Sequence, residues 1–428
     1  MKRVAVIGAG ISGLSCANEL TKAGFHVEVF EKEPVVGGRM STRIKNGFHF
    51  DIGADHLCNV YRELMMYCEK NEIAWEKMRF LKYVLYRKGK LQPLISSLGL
   101  FSRLRLLLFT FFLQKKEIDF FDLSTAAEFD TESAYDFMKR KVGKEVATYT
   151  ADPFTSTYEF HGASQISKSV LLSFMQSVKY YPRDWYLHRT KGGMSAIPES
   201  LAKKVTVHLS TGVNSIELKK KYVEVTSSNT LTKKRRTERF DYVVCATTAN
   251  ITRKILKKPT KMQAELLDAV RYASTISVAF TIPKGSLSST IHMVPYAESR
   301  IISGYVNEEM KGDECIRGNK TLLCVWLHHW MARELLCKND AEIFRFVKNE
   351  LERVCPEVST SSMQNHDLQR WEAAMPIFYT GYVKKVAAFL EKQENNVFFC
   401  GDYLNSPWTE GAFRCGKRVA QRIISIAK

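Results

Sequence analysis

Residues 4–31 read VAVIGAGISGLSCANELTKAGFHVEVFE and combine a strand, a glycine turn, a helix and a second strand. The run 4–7 is apolar without alternation, as expected for a parallel strand that is covered on both faces. Gly8, Gly10 and Gly13 follow in the frame G-x-G-x-x-G, which places a tight turn and a close backbone approach at a helix N-terminus. This pattern predicts a site for the pyrophosphate of a dinucleotide.

Glu31 ends the second strand, at the distance from the glycines where a carboxylate accepts hydrogen bonds from ribose hydroxyls. Strand, turn, helix, strand and acidic residue occur in the required order, which favours dinucleotide binding over a chance glycine-rich turn. The pattern does not distinguish FAD from NAD. A 2′-phosphate would be repelled by the carboxylate.

Length and composition indicate the number of domains and the kinds of partner, metal site and compartment to expect. The 428 residues are enough for two domains, and the net charge of +18 favours anionic surroundings: phospholipid headgroups, acidic substrates or nucleic acid. A soluble basic protein without such a partner is the alternative. The ten cysteines include no C-x-x-C pair and no cysteine–histidine spacing suited to zinc, so no metal site is predicted. Scattered thiols fit a cytoplasmic protein, and we expect no signal peptide because its removal would destroy the first strand.

A second glycine loop follows at 34–39, PVVGGR. Gly37 and Gly38 let the backbone pass close to a ligand, and Arg39 offers a planar fork of donors for phosphate. A glycine loop with a solvated arginine is the alternative. The stretch 48–55, FHFDIGAD, alternates like a strand and then breaks at a turn of small residues.

These motifs resemble the start of the flavin-containing amine oxidase superfamily, which includes monoamine and polyamine oxidases, protoporphyrinogen oxidase and phytoene desaturases. KGGMSAIP at 191–198 is similar to the K-G-G-M stretch of the family, and DYVVCAT at 241–247 to its next buried strand. FFCGD at 398–402 and TEGA at 409–412 resemble its closing strand, flavin-contacting aspartate and final helix. The nearest branch is that of protoporphyrinogen oxidase and phytoene desaturase.

The resemblance implies an α/β fold, in which a Rossmann-type FAD-binding domain of the GR2-like kind, with a parallel sheet, carries an inserted α+β substrate domain. The FAD-binding domain is expected in three blocks, 1–75, 188–255 and 385–428. The helical part of the substrate domain is expected at 76–187 and its sheet part at 256–384. Because a plain NAD domain has no reason to return to its cofactor at the C-terminus, the order of these blocks favours FAD.

The resemblance also implies a set of FAD-binding residues spread over the three blocks. They are Gly8, Ala9, Gly10, Ser12, Gly13, Glu31, Lys32, Gly38, Arg39, Gly53, Ala54, Asp55, Val213, Gly401, Asp402, Thr409, Gly411 and Ala412. The cysteine that tethers flavin in monoamine oxidases has no counterpart near Gly381, so the FAD is expected to be non-covalent.

Thr409 is the predicted N-cap of the last helix, which keeps small and apolar residues on one face. The N-terminus of this helix presents free N–H groups. If the flavin pyrimidine ring lies ahead, the partial positive charge of the helix end stabilises the anion formed at N1 and C2=O on reduction. An ordinary amphipathic terminal helix is the alternative.

The most apolar stretch is 98–113, LGLFSRLRLLLFTFFL, which is too short to span a bilayer comfortably. We expect a helix of the substrate domain that packs inward. The alternative is a helix lying in a membrane surface, with Arg103 and Arg105 at headgroup level. Either arrangement favours an apolar substrate.

The basic run 233–236, KKRR, could indicate nucleic-acid binding. It falls between two strand-like segments, 222–226 and 240–246, so an exposed hairpin loop is the better interpretation. No nucleic-acid partner is predicted.

Two positions separate the branches of the family. Amine oxidases commonly hold a lysine near flavin N5, and the matching position here is Ser277, which weakens amine oxidation. WEAAMP at 371–376 is similar to a region of protoporphyrinogen-oxidase-like members, so Trp371 is a candidate for the substrate side of the flavin, with Tyr382 as a second. A buried core tryptophan is the alternative.

We therefore predict an FAD-dependent oxidase or dehydrogenase that removes a hydride from a C–H bond of a bulky, mostly apolar small molecule. Flavin chemistry requires no nucleophile, and no catalytic residue is predicted. The alternatives are amine oxidation with oxygen, redox-neutral isomerisation on reduced flavin, and a flavoprotein without catalysis. Reoxidation by oxygen or by a membrane quinone, and peripheral contact with an anionic membrane, are further expectations.

Overall fold

Distant parts of the chain form one parallel sheet of five strands. In the computed structural model, which describes residues 1–78, 82–392 and 395–428, Val6 pairs with Val29 on one side and with Val244 on the other. The run 4–7 is buried, as its lack of alternation predicts. The strands are, in spatial order, Thr206–His208, His26–Phe30, Arg3–Ile7, Tyr242–Cys245 and Val397–Phe399.

Two helices from opposite ends of the chain pack against each other beside this sheet. We call Ile11–Lys22 the opening helix and Thr409–Ala427 the closing helix. A Cβ on Gly416 would lie 2.1 Å from the carbonyl oxygen of Ser12, so the two backbones meet where only glycine fits. The hydroxyl of Ser15 also donates to the carbonyl of Phe413 at 2.8 Å. The closing helix is therefore held directly over the glycine turn.

A smaller sheet adjoins the parallel one. Its strands are, in spatial order, Arg235–Phe240, Val223–Asn229, Thr211–Leu218 and Leu256–Lys257. The basic run lies in the hairpin between the first two of these, with Lys233 and Lys234 in the turn and Arg235 and Arg236 at the start of a strand. The run lies in a hairpin, as predicted, but the predicted second strand, 240–246, is wrong: the hairpin strand is Arg235–Phe240, and Tyr242–Cys245 belongs to the parallel sheet.

A second, mostly antiparallel sheet of eight strands has a core of its own. Val278 pairs with Val325 on one side and with Leu368 on the other, and all three side chains are buried. The helix Asp340–Val354, which begins at an Asn339 capping box, packs its apolar face on this core. The strands are, in spatial order, Gln364–Pro376, Tyr272–Pro283, Lys320–Leu327, Ile302–Asn307, Ile291–Met293, Tyr83–Arg87 and Lys90–Pro93, with Ile316–Arg317 paired to Lys320–Leu327.

The remaining elements connect these sheets. The helices are Arg62–Lys70, Leu100–Phe112, Ala134–Val142, Lys144–Val146, Asp152–Glu159, Lys168–Tyr180, Ala196–Ala202, Ala249–Ile255, Lys261–Ala269, His329–Leu335 and Tyr382–Leu390. Short strands pair as Thr42–Lys45 with Phe48–Asp51, and as Leu57–Cys58 and Trp75–Lys77 on either side of Leu187–Thr190. Single helical turns are Leu123–Phe129, Ala147–Ala151, Pro182–Asp184, Glu308–Lys311, Asp313–Cys315, Thr360–Ser362 and Asp402–Leu404.

The helix Leu100–Phe112, which we call the outer helix, does not pack inward. None of its residues is buried, and Leu106 and Phe109 alone among its large side chains pack against the core. The expectation of inward packing is wrong because the helix is apolar on every side, so burying one face leaves the others in solvent. Seven large apolar side chains are exposed: Leu100, Phe101, Leu104, Leu107, Leu108, Phe111 and Phe112.

The architecture is the predicted α/β fold with a Rossmann-type parallel sheet. Three separate ranges supply this sheet, at 3–30, 206–245 and 397–399. The domain boundaries themselves stay a prediction. In the part of the chain that the structure describes, no helix combines the length and the hydropathy that crossing a membrane requires.

Candidate functional site

A cavity of about 1150 Å³ lies where three strands of the parallel sheet end. We call it the first cavity. Its wall includes Gly10 after the first strand, Thr247 after the strand Tyr242–Cys245, and Asp402 after the strand Val397–Phe399. Ligands of open α/β sheets bind outside the carboxyl ends of the strands, so this is the expected place for a cofactor.

The glycine turn leads into the opening helix without a side-chain cap. Gly10 occupies the N-cap position, and no side chain bonds to the first turn of the helix. A Cβ on Gly13 would lie 2.1 Å from the carbonyl oxygen of Gly8, so the turn requires glycine there. The free N–H groups and the helix dipole provide a site for the pyrophosphate.

Glu31 is buried at the end of the second strand. Its carboxylate accepts hydrogen bonds from the amides of Ala9 at 2.8 Å and Glu33 at 3.0 Å. The amide of Thr211 donates to the Glu31 carbonyl at 2.7 Å, and this contact brings the strand that carries Val213 beside it. Because a carboxylate oxygen accepts more than one hydrogen bond, the ribose remains the predicted ligand.

Arg39 connects the first block of the chain to the last. Its guanidinium contacts both carboxylate oxygens of Asp402, at 2.6 and 3.0 Å, and donates to the Ala374 carbonyl at 2.8 Å. Burial lowers the pKa of Arg39, but the Asp402 carboxylate raises it by more, so the guanidinium stays charged. Both residues line the first cavity. The predicted phosphate fork is thus joined to the predicted flavin-contacting aspartate.

Asp51 ties the K-G-G-M stretch to the first block. Its carboxylate accepts from the amide of Met194 at 3.1 Å, from Thr42 Oγ1 at 2.6 Å and from Arg189 Nε at 2.8 Å. Arg189 and Asp51 are both buried, so each charge is neutralised by the other. This pair holds 188–195 against the loop that leads to Gly53.

The closing helix begins at Thr409, and its N-cap is Trp408, without a side-chain hydrogen bond. The prediction that Thr409 caps the helix is wrong, because its hydroxyl lies in the first turn instead of before it. Thr409 Oγ1 and Trp408 Nε1 are buried, line the first cavity and bond to nothing in the described chain. An unpaired buried polar atom costs about 1–3 kcal/mol, so these two atoms indicate a bound ligand.

Glu410 fixes another part of the wall. Its carboxylate accepts from the amides of Glu63 and Leu64, both at 2.9 Å, and so caps the helix Arg62–Lys70 from outside. Burial raises the pKa of Glu410 to about 7. The contact positions Tyr61, which precedes that helix and lines the cavity.

The second sheet forms the opposite wall. Thr275 pairs with Trp371, and Ser277 pairs with Trp326, and all four side chains line the first cavity. Trp371 Nε1 donates to the Ile52 carbonyl at 2.6 Å. The position matched to the lysine of amine oxidases therefore faces the cavity as a serine. The lining residues of the described chain include no lysine and no cysteine.

Tyr382, the second substrate candidate, lies behind the cavity wall. Its ring is fully buried, and its hydroxyl donates to the carbonyl of Tyr403 at 2.9 Å. Tyr382 is the first residue of the helix Tyr382–Leu390, whose apolar face is in the core. Its assignment to the substrate is therefore corrected: its role in this structure is to hold the turn Asp402–Leu404.

A second cavity of about 1450 Å³ adjoins the first, and its wall is mostly aromatic and aliphatic. His56, Tyr61, Tyr158 and Trp408 line both cavities. The second cavity extends to the outer helix, where Leu106 and Thr110 line it together with the half-buried Lys179. Burial raises the pKa of Tyr83 to about 12 and those of Tyr61 and Tyr158 still further above their usual range, so the tyrosines of this wall stay neutral.

The structure brings together most of the predicted cofactor residues. Those that line the first cavity are Gly10, Ser12, Arg39, Gly53, Ala54, Asp55, Gly401, Asp402, Thr409 and Ala412, with Trp371 as the substrate candidate. The others, which lie outside its wall, are Gly8, Ala9, Gly13, Glu31, Lys32, Gly38, Val213 and Gly411. Contact of any of these with FAD stays a prediction.

Sequence reasoning missed the residues between the two cavities. His56, Tyr61, Tyr158 and Trp408 come from separate segments, and no spacing joins them. His56 alone carried a signal, because it directly follows the candidate Asp55. Asp55 itself lines the cavity but has both carboxylate oxygens bonded to protein side chains, His56 and Lys311.

The fold and this cavity define an oxidoreductase that uses a dinucleotide cofactor. The chain belongs to the family of flavin containing amine oxidoreductases, whose model matches residues 11–424. It is an FAD-dependent enzyme. Three lining residues of the first cavity have buried polar atoms without partners in the described chain: Ser12 Oγ, Trp408 Nε1 and Thr409 Oγ1. These atoms fit this cofactor, because FAD carries hydrogen-bonding groups along its whole length.

Relatives and solved structures agree with this family. Protoporphyrinogen oxidase 2 of Arabidopsis thaliana is 23% identical, over 99% of this chain and 94% of that protein. A 4,4'-diapophytoene desaturase of Staphylococcus aureus is 39% identical over 84 residues, which are 19% of this chain and 17% of that protein. The structure of a triple mutant of putrescine oxidase has a TM-score of 0.81 at 16% identity and covers 99% of both chains.

Proposed function

We propose that this enzyme removes a hydride from a C–H bond of a bulky, mostly apolar molecule, as a protoporphyrinogen oxidase or a desaturase does. One observation carries the proposal: an apolar cavity larger than the first opens beside it and shares its aromatic wall. Burying apolar surface is the main source of affinity in such a pocket, with polar groups fixing orientation. A small polar amine would leave most of this volume unfilled.

The residues of the chain have separable tasks in this reaction. Gly10 and the opening helix would hold the diphosphate, and Glu31 the ribose. Arg39 and Asp402 join the first block to the segment after the closing strand, and the N-terminus of the closing helix would favour negative charge on a flavin ring bound there. The bound flavin supplies the acceptor for the hydride. Trp326, Trp371 and Trp408 exclude water and orient the substrate.

Amine oxidation is the weaker candidate. Ser277 replaces the lysine expected in that branch, and the second cavity offers an amine no carboxylate among its lining residues. The FAD is expected to be non-covalent because the lining residues of the described chain offer no cysteine for a tether.

We further propose that the outer helix rests on an anionic membrane. Its exposed apolar side chains would bury their surface in the lipid on binding. Arg105, Lys115 and Lys116 are all exposed and provide complementary charge for the anionic headgroups. Lys179 donates to the carbonyls of Phe111 and Leu113 at 2.8 and 2.7 Å, which fixes the end of the helix. Since the second cavity reaches this helix, an apolar substrate could pass from lipid to flavin without crossing water.

Anaerobic reduction of the bound flavin tests the proposal. Porphyrinogens, polyenes and amines are added in turn to the purified protein, and the oxidised-flavin absorption is followed. Bleaching by a porphyrinogen or polyene is the expected result. Bleaching by simple amines, with aldehyde and peroxide formed in air, would establish amine oxidation instead. Turnover that requires prior reduction and consumes no acceptor would indicate an isomerase, and a flavin reduced by no candidate would indicate a role without catalysis.

A further inference from the structure

We propose that His56 is the base that accepts the proton a substrate loses along with its hydride, and that Asp55 and Lys311 position it for this role. The inference rests on the proposed function, because it concerns the same substrate and the same cavity. Asp55 ends the motif at 48–55, but His56 and Lys311 belong to none of the motifs that indicate the family.

His56 lies between the two cavities, where a base could reach a bound substrate. Its ring lies in the wall shared by the two cavities, between the side where the flavin binds and the side that is apolar. The ring of Tyr158 meets it edge to face, with 6.1 Å between centroids. The imidazole therefore borders both cavities, beside Tyr61 and Tyr158, where a substrate reaching from the second cavity to the first would lie.

Asp55 fixes the proton on one nitrogen of the ring. His56 Nδ1 lies 2.7 Å from Asp55 Oδ1. An ionised carboxylate only accepts hydrogen bonds, so Nδ1 carries the hydrogen and Nε2 keeps its lone pair. Nε2 has no hydrogen-bond partner in the part of the chain that the structure describes. A histidine held in one tautomer by a carboxylate is the arrangement that general-base catalysis uses.

Lys311 keeps Asp55 ionised. Its ammonium group is buried and lies 2.8 Å from Asp55 Oδ2 and 2.6 Å from Glu308 Oε1. Burial alone raises the pKa of Asp55, but Lys311 and His56 lower it by more, and the net shift is well below its usual range. The carboxylate is thus charged at neutral pH.

The other titratable groups facing His56 do not compete with it. These are Tyr61 and Tyr158 of the shared wall and Tyr83 of the second cavity, and burial raises the pKa of each. Tyr83 and Tyr158 also bond to each other. They stay neutral in the range in which a histidine changes its charge.

The step balances. With FAD bound, the oxidised flavin would supply the acceptor for the hydride, which carries away the electron pair of the broken substrate C–H bond. A neighbouring N–H or C–H bond then gives its proton to His56 Nε2, and the electron pair left behind forms the new double bond. The substrate would thus lose two hydrogens, one as the hydride with both electrons and one as the proton on His56, and the imidazolium would be paired with Asp55. Release of the proton to water restores the base.

The first test measures rates. Anaerobic flavin reduction is followed by stopped flow across pH in the wild type, His56→Gln and the matched surface variant His26→Gln. We expect His56→Gln to slow reduction by about 10²- to 10⁴-fold, to abolish the decline at acid pH, and to leave substrate affinity unchanged. Asp55→Asn should also slow reduction, and the proton of the neutral His56 ring should no longer be confined to Nδ1, because the carboxylate that accepts from it is gone. Wild-type rates and profile in His56→Gln would overturn the proposal.

The second test needs no substrate. In protein labelled with ¹⁵N-histidine, the signals that His56→Gln removes report the His56 ring. We expect the neutral ring to carry its proton on Nδ1, and a proton on Nε2 would overturn the proposal. If no apolar molecule reduces the wild-type flavin, the proposed function fails, and this measurement still decides whether the ring is set up as a base.

Discussion

The guanidinium of Arg39 holds the carboxylate of Asp402 at two points, across 363 positions of the chain. Removing one partner of a largely buried ion pair leaves the other charge unpaired, which costs about 3–5 kcal/mol. We expect Asp402→Ala to lower both the melting temperature and the flavin content per chain. The exposed pair of Arg253 and Asp268 is the matched control, and Arg253→Ala should change neither. Full flavin content in Asp402→Ala would show that this pair does not shape the cofactor site.

Glu31→Ala should weaken FAD binding. A hydrogen bond to a charged group contributes about 1.5–3 kcal/mol, which corresponds to roughly a 10- to 150-fold rise in Kd. Titration of FAD into apoprotein, followed by flavin fluorescence, measures this. Glu31→Gln keeps an acceptor for the Ala9 amide, so its Kd for FAD should lie between those of the wild type and Glu31→Ala. An unchanged Kd in Glu31→Ala would mean that the ribose lies elsewhere.

The unit of strand, glycine turn, helix and strand at 4–31, and the parallel sheet built from three ranges of the chain, could be predicted because local sequence signals specify them. The run 4–7, Gly13 and Glu31 each have one physical role, and the structure gives each residue the place that role requires. The closing helix was also predictable, apart from its first residue. A threonine before an apolar helix can either cap it or begin it, and the sequence does not distinguish these.

The features that could not be predicted from the sequence depend on tertiary packing. Nothing local indicates that His56 and Trp408 share a wall, since this follows from how the closing helix meets the loop after Gly53. The packing of the outer helix could not be predicted for a similar reason. A helix that is apolar on every side has no sequence pattern that shows which face is buried. The placement of Tyr382 also depends on packing, because its ring is buried at the start of a helix and its hydroxyl donates to the Tyr403 carbonyl.

The outer helix should bind lipid. Phe111→Glu places a charge among exposed apolar side chains, and we expect binding to vesicles of phosphatidylcholine and phosphatidylglycerol to fall at least tenfold in a flotation assay. Binding should also weaken in salt and in vesicles without phosphatidylglycerol. Leu231→Glu, an equally exposed apolar residue on the hairpin, is the control and should bind as the wild type does. If the wild type does not float with anionic vesicles, the membrane proposal fails.

Glu159 should make stability depend on pH. Burial raises the pKa of its carboxyl to about 8, against about 4.3 in an unfolded chain. Between about pH 4.3 and pH 8, Glu159 is therefore protonated in the native state and ionised in the unfolded state. The free energy of unfolding falls as pH rises across that window, by up to about 1.4 kcal/mol per pH unit.

The neighbouring histidines oppose this effect near pH 6.5, because an unfolded histidine is still about half protonated there, and their contribution fades toward pH 8. Burial lowers the pKa of His161 to about 4 and that of His328 to about 3, so both are neutral there in the folded protein. Urea unfolding between pH 6.5 and 8 should show the slope in the wild type and in the exposed variant Glu334→Gln, and a flatter one in Glu159→Gln. Equal slopes in all three would show that Glu159 is ionised in the folded protein.

The central claim is that the two ends of the chain bind one FAD molecule, the opening turn at its diphosphate and the closing helix at its ring. A crystal structure of the purified protein with FAD tests this most directly. We predict the diphosphate at the N-terminus of the opening helix and the isoalloxazine ring in contact with Thr409 and Ala412. A ring bound away from the closing helix, or a cofactor that does not touch the glycine turn, would contradict the account.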